Sequence, residues 1–160
     1  RFGSLIRAYQ MVGFEPDRDY RYLEINQFLR RLHPTIIAET ERRIGEIGGD
    51  VVRDPSTDLL RINREFSISL VLSRCQVTSA GNGRWKVRFD TSLNPDITVA
   101  VRLDDSNQKA LDYYLLPRLA FGQARLSLAE NNAFEFDSYR FDSLDYLYGM
   151  AEQFRIRRAA

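Results

Sequence analysis

The chain has 160 residues and a formal net charge of +1 at pH 7, and 44% of its residues are hydrophobic. These values are typical of one globular domain and exclude a disordered chain. No apolar run approaches the roughly 20 residues that cross a bilayer, so we expect no membrane partner. The single cysteine, Cys75, cannot form an intramolecular disulfide, which favours a reducing, cytoplasmic compartment.

The type of basic residue is more informative about binding partners than the net charge is. All but two of the 23 basic residues are arginine, the exceptions being Lys86 and Lys109. The planar guanidinium suits phosphate oxygens and guanine edges, so this bias is compatible with nucleic-acid contact. A GC-rich genome that favours arginine codons is the alternative explanation.

The first part of the chain is predicted to be helical. In residues 1–14, Ser4 is placed to cap a short helix that Gly13 ends. After a polar turn, apolar residues recur at three- and four-residue steps, which predicts helices over about 20–32 and 34–47. The break is expected at His33-Pro34, because proline disfavours helical geometry in the residue before it. We therefore divide the chain into residues 1–14 and a domain over 19–160.

From Asp50 onward, the apolar residues change to a strand-like period. Short β-rich runs are separated by turn residues such as "PST" and "NR". At the end, Asp142 or Ser143 can cap a helix that runs to about Arg155. The predicted fold class is α+β, with N-terminal helices, a largely antiparallel sheet of five or six strands and a C-terminal helix.

The alternating run "RWKVRFD" is the strongest candidate for a binding surface. Trp85, Val87 and Phe89 can pack inward, which leaves the intervening cations on one outer face. Such a stripe could follow a DNA phosphate backbone, and the lack of an aromatic platform favours duplex over single-stranded DNA. The alternative is a solvated sheet face balanced by acidic residues. The proposed stripe comprises Arg84, Lys86 and Arg88 with Arg102 on a neighbouring strand, and the balancing acids are Asp90, Asp96 and Asp104.

Catalytic patterns are largely missing from the sequence. A metal-dependent nuclease of the restriction type needs acidic residues and then an acid and a lysine on one strand. Glu39 or Glu41 on a helix and Asp58 beside a turn could supply the first part. The following strand instead carries Ser69, Val71 and Arg74, and the lone His33 and Cys75 form no zinc or thiol-protease pattern. We therefore expect no catalytic residue, no metal ion and no cofactor.

Two stretches resemble known proteins. Residues 2–14, "FGSLIRAYQMVGF", resemble a small helical repeat found beside homing endonucleases and in C-terminal extensions of serine recombinases. Residues 66–117, from "FSISLVLSRCQVT" to "ALDYYLLP", resemble the C-terminal end of long recombinases of the resolvase and invertase class. The resemblance implies the C-terminal region of such a recombinase, beginning within a truncated helical repeat.

The function that this resemblance implies is a non-catalytic DNA-binding or accessory domain, not itself an enzyme. Its partner would be double-stranded DNA, and its contacts would include Ser4 and Arg7 besides the stripe. Two alternatives stay open. One is a domain that joins recombinase protomers, and the other is a degenerate restriction-like nuclease fold.

Overall fold

The structure is a computed structural model, and it describes residues 21–121 and 123–153. The predicted DNA contacts Ser4 and Arg7, and the unit over 1–14, lie outside the described residues. None of the helices in the described ranges is long and apolar enough to cross a membrane.

The first described element is a single long helix, α1 (Arg21–Glu46). The predicted break at His33-Pro34 is therefore wrong, because Pro34 lies inside the helix. Two contacts support the helix there: the Thr35 hydroxyl donates to the carbonyl of Arg31 at 3.1 Å, and the His33 ring lies 2.7 Å from the carbonyl of Leu70. Packing of one apolar face on the sheet outweighs the local cost of the proline.

In the described part of the chain nine strands follow, and they form two sheets. The larger sheet has the order β1-β2-β3-β6-β7-β9, and the smaller has the order β4-β5-β8. In the larger sheet only β3 and β6 pair in parallel. The strands are β1 (Val51–Arg53), β2 (Leu60–Ile62), β3 (Phe66–Ser73), β4 (Cys75–Val77), β5 (Gly83–Arg88), β6 (Ile97–Leu103), β7 (Ala110–Pro117), β8 (Arg125–Ala129) and β9 (Arg140–Phe141).

Two short helices complete the described part, α2 (Phe134–Asp137) and α3 (Asp145–Ala151). The predicted C-terminal helix is thus confirmed, with Leu147 and Ala151 buried, but it ends at Ala151 and not near Arg155 because the backbone is extended at Glu152. Its N-cap is Leu144 and not Asp142 or Ser143, although the Ser143 hydroxyl accepts a hydrogen bond of 3.3 Å from the backbone N–H of Asp145. The α+β prediction is confirmed, and the separate small sheet was not foreseen.

The larger sheet has an apolar core on each face. On one face, α1 and α3 pack against alternate residues of the central strands, among them Ile68, Val99 and Val101. On the other face, the small sheet covers β6 and β7 and buries Trp85 and Val87. The β1-β2 end of this second face stays open, since the small sheet does not extend over it. The open region holds the candidate site.

Candidate functional site

Strand β5 presents its cations outward, as its alternation predicts. Trp85 and Val87 are buried, whereas Lys86 and Arg88 are exposed and Arg84 is half-buried. The Trp85 indole N–H donates to the carbonyl of Leu103 at 2.8 Å, which fixes the inward face of the strand. The outward placement of Arg84, Lys86 and Arg88 is confirmed.

Strand β8 adds a fourth cation that the sequence did not reveal. The register of β5 and β8 places Arg125 directly opposite Arg88, and Ser127 opposite Lys86. Cross-strand partners share a face, and like charges in that position repel. No signal in the sequence pairs these two segments, because they lie far apart along the chain. We call Arg84, Lys86, Arg88 and Arg125 the basic face.

The basic face carries no carboxylate of its own. Its other members on the three strands are neutral: Gln76 opposite Arg84, Ser127 and Ala129. Within residues 21–121 and 123–153, Lys86, Arg88 and Arg125 form no ion pair, and Arg84 donates to the carbonyl of Gly83 at 2.9 Å. Unpaired like charges on one exposed face produce a positive potential that attracts anions.

The acids expected to balance the stripe are engaged elsewhere. Asp90 accepts hydrogen bonds from the Ser92 hydroxyl at 2.6 Å and from nearby backbone N–H groups, which hold the pKa of its carboxyl below the usual value. Asp96 accepts from the backbone N–H of Ser67 at 2.8 Å and pairs with Arg118 at 3.5 Å. Asp104 accepts from the Ser106 hydroxyl at 2.9 Å, in the turn between β6 and β7. None of these carboxylates pairs with the basic face.

Arg102 does not belong to this surface, so its prediction as a DNA contact is wrong. Its side chain is fully buried, and its Nε and Nη2 donate to the Asp112 carboxylate at 2.7 and 2.6 Å. The guanidinium also lies over the rings of Trp85 and Tyr114, at 4.5 and 5.1 Å from their centroids. The reason is topological: β6 belongs to the larger sheet, and the small sheet covers the face from which Arg102 projects.

Two adjoining clefts lie at the open end of the larger sheet, and the first of them borders the basic face at Lys86 and Arg88. The first, of about 550 Å³, forms where β3 continues beyond its pairing with β2. The second, of about 500 Å³, lies along β2, and the two share Leu93. The first cleft is lined by His33, Asp58, Ser69, Val71, Lys86, Arg88 and Asp90, among others, and the second by Asp50, Arg61, Arg64, Glu65 and Asp96, among others.

Only two of the three acidic residues considered for a nuclease site lie near one another. Arg53 links two of them, since its guanidinium lies 2.7 Å from Asp58 Oδ1 and 3.7 Å from Glu41 Oε1. Glu39 instead pairs with Arg42 on α1, and neither glutamate lines the two clefts. On β3, Ser69 and Val71 face the first cleft, whereas Arg74 donates to Asn26 Oδ1 at 2.6 Å.

Strand β3 carries no lysine, but a lysine from another strand lies at the same cleft. Lys86 of β5 lines the same cleft as Asp58 and Ser69. The sequence pattern of an acid and a lysine on one strand does not cover a lysine that comes from another strand, so it did not indicate Lys86. Within the described residues, however, no group of three or more His, Cys, Asp or Glu side chains is placed to hold a metal ion.

Comparisons with known proteins add one structural likeness. Neither the family models nor the curated proteins match this chain. Among solved structures, the bacterial homing endonuclease I-Ssp6803I is similar at 17% identity and a TM-score of 0.42, over 70% of this chain and 85% of that chain. A likeness of this size carries no activity over to this chain.

Two predictions are affected by these comparisons. The similar structure is that of an enzyme, an endonuclease, and the prediction that this chain is not an enzyme is not retained. The resemblance to serine recombinases is matched by no family model and no curated protein, so it stays a prediction.

Proposed function

We propose that this chain binds double-stranded DNA through the basic face. The observation that carries the proposal is the set of four cations on the outer face of β5 and β8, with no carboxylate among them. Arg88 and Arg125 repel one another across the strands, and a phosphate between them would replace that repulsion with two charge-assisted hydrogen bonds. An accessory domain of a serine recombinase is one kind of protein in which such a DNA-binding domain would act.

Salt dependence is the direct test of this proposal. Each neutralised phosphate contributes about 0.9 to the slope of log affinity against log salt concentration. We expect the wild-type chain to bind a labelled duplex with an affinity that falls steeply between about 50 and about 200 mM salt. Replacing Lys86, Arg88 and Arg125 together by alanine should lower the slope by up to about 2.7.

The two lysines of the chain offer a matched control. Lys109 is exposed in the turn between β6 and β7 and does not belong to the basic face. Lys86→Ala should therefore weaken binding and lower the salt slope by about 0.9, whereas Lys109→Ala should leave both near the wild-type values. Equal effects of the two substitutions, or a triple variant that binds like the wild type, would refute the proposal.

A second candidate is phosphodiester hydrolysis in the first cleft. The observation that favours it is that Asp58, Ser69 and Lys86 line one cleft beside the basic face. There a water oxygen could attack phosphorus while Asp58 takes its proton, and the bond from phosphorus to the leaving oxygen would break, that oxygen departing as an alkoxide that takes a proton from solvent water. Lys86 would stabilise the negative charge that develops on the phosphoryl oxygens. Both contacts from Arg53 fall on Asp58 Oδ1, so the proton would go to Oδ2. Within the described residues, no group of three or more His, Cys, Asp or Glu side chains is placed to hold a metal ion.

Nicking of supercoiled plasmid tests this candidate. The chain would convert the plasmid to the open circle, in reactions that contain magnesium, manganese or EDTA. Asp58 has a positive φ of 63°, which asparagine also tolerates, so Asp58→Asn should leave the fold nearly unchanged. That variant should keep DNA binding and lose nicking. A wild-type chain that never nicks, or an Asp58→Asn variant that nicks equally well, would exclude hydrolysis at this cleft.

A further inference from the structure

The hairpin that joins β2 to β3 contains an arginine in an unfavourable backbone conformation. Its two central residues, Asn63 and Arg64, have φ values of 55° and 58°, and the Glu65 N–H donates to the Ile62 carbonyl at 2.9 Å. Positive φ at both positions is the signature of a type I′ turn, in which the second position favours glycine. A side chain such as that of arginine is disfavoured in this conformation.

Arg64 differs from the other residues that share this conformation. The remaining non-glycine residues with positive φ in the described ranges are asparagine or aspartate, which tolerate it best. Three of them use their side chains in contacts within the chain: Asp58 pairs with Arg53, Asn63 Nδ2 donates to the Ala151 carbonyl at 2.8 Å, and Asn107 Oδ1 accepts from the Cys75 N–H at 2.6 Å. Among the described residues, the side chain of Arg64 forms no such contact.

The arginine is instead exposed at the second cleft, next to the cleft that borders the basic face. Arg64 is exposed and lines the second cleft, which adjoins the first cleft at Leu93. It forms no ion pair with any residue in 21–121 or 123–153. Arg61, on the exposed side of β2, lines the same cleft. Backbone strain without an internal contact is typical of residues held for binding.

We infer that Arg64 is a DNA-binding residue, carried at the tip of the β2-β3 hairpin to contact a duplex that lies on the basic face. This inference rests on the proposed DNA binding and extends it to a second part of the molecule. A two-stranded ribbon is narrow enough to enter the major groove, and the fork of arginine suits either phosphate oxygens or a guanine edge. The hairpin would then be a second, separate point of contact.

Arg64→Gly separates a binding role from a structural one. Glycine suits the turn, so the thermal midpoint of this variant should be no lower than that of the wild type. Its affinity for a labelled duplex should fall roughly tenfold, the loss expected for one charge-assisted contact. Arg64→Lys keeps the charge and should bind more tightly than Arg64→Gly. Glu65→Gln removes a neighbouring negative charge and should strengthen binding at low salt.

The results separate the two proposals. If the wild-type chain binds with a steep salt slope that the triple variant reduces, while Arg64→Gly binds as tightly as the wild type, the basic face stands and the role of Arg64 is refuted. If the wild-type chain does not bind duplex DNA, the proposed function itself fails. Loss of binding together with a lowered thermal midpoint in Arg64→Gly would assign Arg64 a structural role and overturn the inference.

A selection from duplexes of random sequence distinguishes the two kinds of DNA contact. A base contact by Arg64 would appear as a preference at one position of the selected duplexes that is absent with Arg64→Gly. A phosphate contact would lower the affinity of all sequences alike. Either result supports DNA contact by Arg64, and identical selections with equal affinities for both proteins refute it.

Discussion

Trp85 connects the basic face to the interior of the protein. Its ring packs beneath the Arg102 guanidinium, and its N–H is bonded to the Leu103 carbonyl on the neighbouring sheet. Gly83 leaves room for that ring, because a Cβ at Gly83 would lie 2.8 Å from the nearest ring atom. The position of the outward cations therefore depends on one buried aromatic side chain.

Trp85→Ala should lower the free energy of unfolding by about 3–5 kcal/mol, the usual loss for removing a large buried aromatic side chain. Denaturant titration followed by circular dichroism measures it. The matched control is Phe134→Ala, because Phe134 is 86% exposed and its removal should change stability by less than about 0.5 kcal/mol. A loss below about 1 kcal/mol for Trp85→Ala would contradict the assigned face of β5.

Tyr114 gives the protein a specific sensitivity to alkaline pH. Burial and the hydrogen bond from its hydroxyl to Asp137 Oδ1, of 2.6 Å, raise the pKa of Tyr114 from 10.0 to about 12. Because the pKa is higher in the folded state, the associated stability is complete below pH 10.0 and is lost as the pH rises toward 12. Tyr114→Phe should flatten the fall in stability over that range.

The measurement is the thermal midpoint as a function of pH. Tyr146→Phe is the control, because Tyr146 is 58% exposed, and it should leave the alkaline profile of the wild type unchanged. A Tyr114→Phe variant that loses stability between pH 10 and 12 as steeply as the wild type would contradict the assignment.

At the scale of elements, α1 shows how packing overrides a local signal. Proline at position 34 lacks the N–H that would bond the carbonyl one turn earlier, yet the helix continues to Glu46. The residues on its apolar side include Leu29, Ile37 and Ile44, which belong to the core formed with the larger sheet. Pro34 is a helix-breaking signal that can be read from the local sequence. The contacts that compensate for the lost hydrogen bond involve strands far along the chain, so they cannot be read from it.

Pro34→Ala should therefore stabilise the protein, by about 1–3 kcal/mol, since alanine restores the N–H and removes the ring from an exposed helical position. Urea titration gives the change in midpoint. The reverse change at an exposed site one turn later, Ala38→Pro, should destabilise by about 3 kcal/mol or more. A destabilised Pro34→Ala variant would show that α1 depends on the proline for its path.

The small sheet explains why only part of the site was predictable at the level of elements. The alternation in β5 has a period of two, so the outward placement of Arg84, Lys86 and Arg88 follows from local sequence alone. The partner strand β8 and the separate sheet do not follow from it, because their pairing is long-range. Arg125 was missed, and Arg102 was assigned to the wrong surface, for this one reason.

At the scale of the whole molecule, the two sheets are joined by contacts that are buried. Arg102 on β6 donates from Nη1 to the Ala129 carbonyl of β8 at 2.6 Å, and from its other nitrogens to Asp112 of β7. Val71 of β3 packs against the core beneath the small sheet. Such shared contacts couple the stability of the two layers.

We therefore expect a single unfolding transition. Fluorescence of Trp85, the one tryptophan of the chain, reports on the small sheet, whereas far-ultraviolet circular dichroism reports mainly on α1. The two probes should give coincident midpoints in urea. Two separate midpoints, with the tryptophan signal lost first, would show that the small sheet is an independent unit.

The pairing of β5 with β8 also has a consequence for how the proposed DNA-binding surface forms during synthesis. Arg88 and Arg125 come to lie side by side only when β8 adds to β5, after β6 and β7 have joined the larger sheet in chain order. A nascent chain that ends before β8 holds three of the four cations, on a strand that already pairs with β4, and lacks Arg125. The two arginines proposed to share a phosphate would thus come together late, so incomplete chains on the ribosome would bind DNA less tightly than chains that include β8.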